Sequence, residues 1–555
     1  MKTVIIGGVA AGATAAARLR RLDEEAEIII FEKGDFISFA NCGLPYFTGN
    51  VIEDGGDLLL QSPESFKARY NIDARVKCEV LKVNPDKKTV NVFDKTLNRM
   101  YDESFDFLII SPGSEPIIPD IEGIYGKAVM QSVFIVRTIK DAVIIKNAIS
   151  YGKAKTAAIL GGGAISLEMA ENLVNAGLDV SIISLDKSLM PKIDFDISYP
   201  LMTEAERHGI SLFMNDTITK ISKSGENLKI TLKSETELTA DILIIAAGVR
   251  PDTDFLHGSG IELTANGAIL TDKFMQTNVK NIYAAGDAVM TYNNISGEPM
   301  ICQLAGPANK QGRIVADNIC AETRNTEKTP YNGALGSNII RFFDLTAAQT
   351  GFSEIAAKKA GFEADFVFTY SPSNASWYGN ASMISSKIIF DKKTGKVLGG
   401  EFIGKKGIDK RADILATLLH FGGTVDDLTE LELCYAPQFS SAKDPVNIAG
   451  MAAQNIVKGY VKHIHADEVD ALVESGVIFI DVRTEREFAG GHINNAKNIP
   501  LDNLRERINE IPVGKLVYVN CRSGQRSYIA CRILADKGFD CFNLEGGYRL
   551  YSEMV

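Results

Sequence analysis

Two cysteines sit in surroundings suited to sulfur chemistry. Cys42 lies within Ser38-Phe39-Ala40-Asn41-Cys42-Gly43-Leu44-Pro45-Tyr46. A free cysteine is commonly a small, inert core residue. Here Asn41, Gly43 and Pro45 are loop formers, which argues against a core position. A thiol at a helix start is eased toward thiolate, the nucleophilic form. The second cysteine opens Cys521-Arg522-Ser523-Gly524-Gln525-Arg526-Ser527. Successive backbone N–H groups in so short a loop can cradle an anion. Arg522 and Arg526 add positive charge, and both effects favour a thiolate or persulfide. A phosphatase loop also pairs cysteine with arginine, but is usually one residue longer.

Residues 3–8 read as a buried parallel strand ending in a tight turn, and an alanine-rich helix follows as far as Arg21. Gly7 serves the turn and Gly12 allows close helix–strand packing. Val9 replaces the middle glycine of the dinucleotide fingerprint, with Gly8 beside it. Pyrophosphate belongs over the helix start. The next apolar run, Ile28 to Phe31, ends at Glu32, where a ribose-binding carboxylate is expected. Cys42 therefore falls just past the carboxyl end of the second strand, where such sheets hold their ligand.

A second copy occupies 156–186. A strand from Thr156 runs into Gly161-Gly162-Gly163-Ala164-Ile165-Ser166 and a helix carrying Glu168. Ser184 stands where NAD-preferring proteins often carry an acid, and Lys187 is the only nearby cation for a 2′-phosphate. This favours NADH and leaves NADPH open. Asn281 to Ala288 is a third strand–turn, in which Gly286-Asp287 offers an acceptor to a flavin's sugar chain. Two similar pieces, Leu108 to Gly113 and Leu243 to Gly248, mark the crossings between the nucleotide domains. Two such folds imply two dinucleotides with electrons passing between them, unless one copy is degenerate.

The chain has 555 residues, enough for three or four domains. A net charge of −11 argues against general nucleic-acid binding. No signal peptide and no membrane span are expected, and the eight cysteines contain no CxxC pair. A reducing cytoplasm is the expected setting, with neither a metal site nor a disulfide framework. Beyond about residue 455 a new unit begins. Val477 to Asp481 reads as a strand, and Leu516 to Asn520 as another that delivers Cys521 into a helix running from Tyr528 to Lys537.

Over residues 1–450 the chain resembles the pyridine nucleotide–disulfide reductases, in their single-cysteine coenzyme A disulfide reductase branch. The segments carrying this are Gly7 to Gly12, Ser38 to Tyr46, Ala284 to Asp287, Leu304 to Arg313 and Tyr435 to Asn447. Residues 463–555 resemble a rhodanese, through Asp481-Val482-Arg483, the Cys521 loop and Asn543 to Tyr548. The resemblance implies an α/β chain with two Rossmann-like nucleotide-binding domains, an α+β dimerisation domain and a C-terminal α/β rhodanese domain. The expected spans are 1–150 with 246–325 for FAD, 151–245 for NAD(P)H, 326–455 for dimerisation and 463–555 for the rhodanese.

The FAD and NAD(P)H contacts implied are Gly7, Gly8, Val9, Gly12, Glu32, Lys33, Val80, Ser111, Gly113, Arg137, Gly161, Gly163, Ile165, Glu168, Gly248, Gly286, Asp287 and Ala305. Coenzyme A is expected at Thr14, Arg18, Arg21, Ser38, Asn41, Asn309 and Lys443. Arg18 and Arg21 share a helix face, although a solvated surface is the usual fate of such a pair. The rhodanese loop would use Arg522, Gly524 and Arg526 around Cys521. In a homodimer, Tyr435 would stand beside Cys42 of the other chain as a general acid. Trp377-Tyr378 falls near the place of the family's second tyrosine and leaves its identity open.

The reaction implied is reduction of a sulfur–sulfur bond by NAD(P)H through FAD and Cys42. The substrate would be coenzyme A persulfide or polysulfide, with coenzyme A disulfide the close second and Cys521 handling sulfane sulfur. Two other readings stay open. One is an NADH oxidase or peroxidase cycling Cys42 through sulfenic acid. The other is a non-catalytic sulfur carrier or sensor.

Overall fold

Four short strands with apolar interiors and a half-buried edge strand carrying Asp73 and Arg75 make the first sheet, and the apolar runs dictate burial on both faces. They line up in the order Ile282–Ala284, Phe107–Ile110, Lys2–Ile6, Glu27–Glu32 and Asp73–Val76, all parallel. Ile5 pairs with Ile30 on one side and Ile109 on the other. The computed structural model describes residues 1–151 and 154–554. Gly152, Lys153 and Val555, at the edges of two expected domains, lie outside the described residues.

The chain divides into two compact units. The first comprises Met1–Lys187 and Ala205–Gly336. Its second parallel sheet orders Ser211–Met214, Asp179–Ser184, Thr156–Leu160, Ile242–Ile245 and Val133–Ile135. The last of these lies ahead of the expected boundary at 151. Val133–Ile135 pairs in parallel with Ile242–Ile245, so the second nucleotide sheet draws on chain that the sequence reading gave to the first. Each sheet is accompanied by a three-stranded antiparallel sheet, at 78–104 and 218–240.

The second unit comprises Ser188–Glu204 and Ser337–Val555. Ser188–Glu204 was expected within the NAD(P)H domain. Its acids explain the difference: Asp194 and Asp196 pair with the buried Lys387 at 3.0 and 2.8 Å. A buried ammonium needs such partners. Lys387 lies on Met383–Asp391, in an antiparallel sheet ordered Asn338–Phe342, Leu345–Gly351, Val397–Gly404, Met383–Asp391 and Ala364–Pro372.

The C-terminal part of this unit is a parallel sheet ordered Lys462–Ile464, Cys541–Leu544, Val517–Asn520, Ile478–Asp481 and Lys497–Asn498. A carboxylate clasps it to the antiparallel sheet. Asp365 of Ala364–Pro372 meets His463 Nε2 at 3.0 Å and His465 Nε2 at 2.8 Å. Among the described residues no helix is long and apolar enough to cross a membrane.

Candidate functional site

The first site is built on the first glycine turn. Gly12 admits no side chain, because a Cβ there would lie 1.9 Å from the carbonyl oxygen of Gly7. Helix Ala10–Leu22 therefore seats directly on the turn. Its start, after Val9, has no side-chain cap and no acid in its first turn. Helix Ala164–Asn175 after Gly163 and helix Ala305–Arg324 after Leu304 share both features. Uncapped starts leave N–H groups free for an anion. Elsewhere Ser62, Thr138 and Ser353 cap their helices with side-chain oxygens.

Glu32 receives Gly8 N–H at 3.0 Å and Gly34 N–H at 2.8 Å, one on each carboxylate oxygen. Lone pairs remain for ribose hydroxyls. Ser111 Oγ donates to the Ile6 carbonyl at 2.9 Å, and Lys33 pairs with Asp252. Val80 is buried in Cys78–Asn84. Asp287 follows Gly286, whose N–H donates to Gln311 Oε1 at 2.7 Å. Burial raises the Asp287 carboxyl, against the opposing charge of Arg137 and a 3.5 Å hydrogen bond from Ser114. An acid so thinly partnered suits a ligand donor. Arg137 itself reaches Gly113, where a Cβ would lie 2.9 Å from its Nη2. On the second turn Gly161 passes under Ala246, Ile165 is exposed and Gly248 is exposed on the crossing. These residues fit a flavin dinucleotide on the first turn and a nicotinamide dinucleotide on the second.

Cys42 is exposed on a 3-10 turn, Asn41–Gly43, that runs straight into helix Leu44–Thr48. Ser38 holds the loop to the glycine turn: its N–H donates to the Gly8 carbonyl at 2.8 Å, and its own carbonyl accepts from Leu60 at 3.0 Å. Ser38 pays for this with a left-handed backbone, φ 46°. Tyr46, one turn after Cys42, reaches the other nucleotide domain, donating to Glu168 Oε1 at 3.4 Å. Burial and the adjacent Glu168 push the Tyr46 phenol up to about 12. Burial, opposed by the Tyr46 hydrogen bond, raises Glu168 to about 7. The sequence alone assigns Tyr46 no role. Its spacing of four from Cys42 was the available signal.

Thr14 Oγ1 donates to Asn309 Oδ1 at 2.6 Å, so these two expected coenzyme A contacts are neighbours. Arg18 and Arg21 part company. Arg18 is committed to Asp317 at 2.7 Å, whereas Arg21 is exposed. Asn41 is exposed beside Cys42. In the second unit, Tyr435 and Lys443 are exposed on the irregular chain before helix Pro445–Val457. The loop carrying Trp377 and Tyr378 holds that chain: Ala375 N–H donates to the Pro437 carbonyl at 3.2 Å and the Ser440 carbonyl at 3.1 Å. Both tyrosines therefore occupy adjoining loops.

The second site surrounds Cys521, which is fully buried. Gly524 N–H donates to its Sγ at 3.2 Å and Ser527 Oγ lies 3.3 Å from it. Both groups can donate to the sulfur. Gly524 takes φ 89°, a left-handed conformation that suits glycine at this cap. The helix then begins at Gln525, three residues before the expected Tyr528. Arg526 thus belongs to the helix's first turn. It is also not free charge: Glu487 accepts its guanidinium at 2.7 and 2.8 Å. Arg526 holds the Glu487 carboxyl down to about 2. Arg522 is exposed. Ser527 closes the loop segment expected from the sequence, whereas Glu487 is an additional neighbour. Glu487 comes from a different helix and carries no sequence signal.

Two dinucleotide turns, an exposed thiol beside them and a separate cysteine loop define a nucleotide-dependent thiol oxidoreductase. Residues 1–312 match the family described as pyridine nucleotide-disulphide oxidoreductase. Residues 338–445 match the dimerisation domain of that family, and 465–554 a rhodanese-like domain. The chain belongs to the pyridine nucleotide-disulphide oxidoreductase family. It is 35% identical over 453 residues to the coenzyme A disulfide reductase of Staphylococcus epidermidis, covering 82% of this chain and 100% of that one. The solved structure of reduced Bacillus anthracis CoADR-RHD is 41% identical with a TM-score of 0.96, covering 100% of this chain and 98% of that one. The NAD-dependent persulfide reductase from A. fulgidus is 31% identical with a TM-score of 0.91, covering 99% and 100%.

Proposed function

We propose that the protein reduces sulfur–sulfur bonds of coenzyme A persulfide, polysulfide or coenzyme A disulfide at Cys42, using FAD and NAD(P)H. For a persulfide the balance is RSSH + NADH + H⁺ → RSH + H₂S + NAD⁺. The observation carrying this reading is the exposed thiol of Cys42 on a turn whose Tyr46 reaches Glu168 of the second nucleotide domain.

The first glycine turn, Glu32 and Asp287 hold FAD; the turn from Gly161 to Ile165 holds NAD(P)H. The flavin, when bound, relays the hydride's electron pair to sulfur. Cys42 attacks a substrate sulfur as the thiolate. With no second cysteine beside it in the sequence, the bond it forms is a mixed disulfide or a persulfide. Thr14, Asn309, Ser38 and Asn41 bind the coenzyme A portion. The protein works as a cytoplasmic homodimer in which Tyr435 of the partner subunit protonates the departing thiolate. Cys521 carries sulfane sulfur as a persulfide on the rhodanese loop.

NADH oxidation followed in parallel with coenzyme A persulfide, polysulfide, coenzyme A disulfide, oxygen and peroxide tests the reading. Cys42→Ser should abolish every thiol-dependent rate. Cys521→Ser should spare coenzyme A disulfide and slow only sulfane-sulfur handling. Turnover confined to oxygen or peroxide would defeat the proposal.

A further inference from the structure

Cys531 and Cys541 take no part in the chemistry above. Cys531 lies on the inner face of helix Gln525–Asp536, the helix whose start forms the Cys521 loop. Cys541 is the first residue of strand Cys541–Leu544. Cys541 Sγ lies 3.4 Å from the Cys531 carbonyl oxygen. The neighbouring Cys531 thiol is the largest influence on Cys541, and with Arg532 and Lys462 it outweighs burial to ease that thiol toward ionisation. Cys531 is driven the opposite way, first by Cys541 and then by burial. Two adjacent thiols can act as a nucleophile and its resolving partner.

Both cysteines are buried, at the wall of a cavity of about 330 Å³ that Tyr460, Lys462, Arg532 and Asp540 also line. Lys462 is paired with Asp540 at 2.7 Å, and Arg532 adds positive charge that would draw in a small sulfur anion. We propose that Cys531 and Cys541 are a redox-active dithiol that sulfane sulfur oxidises to a disulfide.

The oxidant is a persulfide or inorganic polysulfide. Cys541 thiolate attacks the outer sulfur of RSSH, forming a Cys541 persulfide and expelling RS⁻, which is protonated to RSH. Cys531 loses its proton and attacks the inner sulfur of that persulfide, forming the Cys531–Cys541 bond and expelling HS⁻. The balance is RSSH + 2 Cys–SH → Cys–S–S–Cys + RSH + H₂S. The electron pair given up by the two thiols leaves on sulfide. The bond would staple the helix behind the Cys521 loop to the strand that leads to Gly546-Gly547, where a Gly547 Cβ would meet the Cys521 carbonyl.

The test uses the reduced full-length protein, treated with inorganic polysulfide, freed of excess reagent, alkylated and cleaved with trypsin. Cleavage after Arg526, Arg532, Lys537 and Arg549 separates Cys531 and Cys541 into two peptides holding no other cysteine. The expected product is those two peptides joined, two hydrogens lighter than their sum and parted by dithiothreitol. It should persist in Cys521→Ser and vanish in both Cys531→Ser and Cys541→Ser. Separate alkylated peptides from the folded protein, a joined product only after denaturation, or pairing of either cysteine with Cys521 would each overturn the proposal.

Discussion

Glu168 is a carboxylic acid poised to change charge near neutrality. Burial raises it to about 7, and Tyr46's hydrogen bond restrains the rise. A rate that needs the protonated acid falls as pH climbs through 7. Glu168→Gln should remove that limb from the kcat/KM profile. Tyr46→Phe should move the limb to higher pH, because losing the hydrogen bond lets burial raise the acid further. Stopped measurements of NADH oxidation across pH 5.5 to about 9 would show either shift. Tyr46 illustrates what a single sequence conveys at this scale. Its distance from Cys42 is legible, but its acid partner lies 122 positions away and emerges only when the two nucleotide domains meet.

Strand, turn and helix were legible where local pattern decides them. Both nucleotide turns combine a strand of apolar interior with glycines and a helix, and each element forms where its residues place it. Val133–Ile135 escaped notice because three residues show no periodicity, and its pairing with Ile242–Ile245 is a long-range choice. The early start of helix Gln525–Asp536 escaped because its cap is a left-handed glycine without a capping side chain. The first glycine turn supplies a direct test of an element. In Gly12→Val the new side chain meets a backbone carbonyl that cannot swing aside. The variant should purify without yellow colour and lose about 1–3 kcal/mol of stability from overpacking. Absorbance of the purified protein and its denaturant midpoint check both.

At the scale of the whole molecule, the C-terminal domain is fastened to the antiparallel sheet of the same unit through a titratable clasp. Burial lowers His463, but hydrogen bonding to Asp365 and its charge outweigh this and hold the imidazolium above its ordinary 6.5. His463 and His465 keep the Asp365 carboxyl well below the usual carboxylate range, against burial. The histidine contribution is present below 6.5 and is lost as pH rises through its higher folded value. The aspartate contribution is present above its ordinary 3.8 and is lost as pH falls. Melting of the second unit should therefore be highest in mildly acidic buffer and fall toward alkaline pH. His463→Asn should lower the acidic plateau and flatten the alkaline decline in a calorimetric series.

The contrast between an open Cys42 and an enclosed Cys521 has a kinetic meaning. An atom of sulfur parked on Cys521 is insulated from stray thiols, whereas one on Cys42 meets the next molecule to arrive. In the proposed chemistry the first would be a long-lived store of that element and the second a transient one.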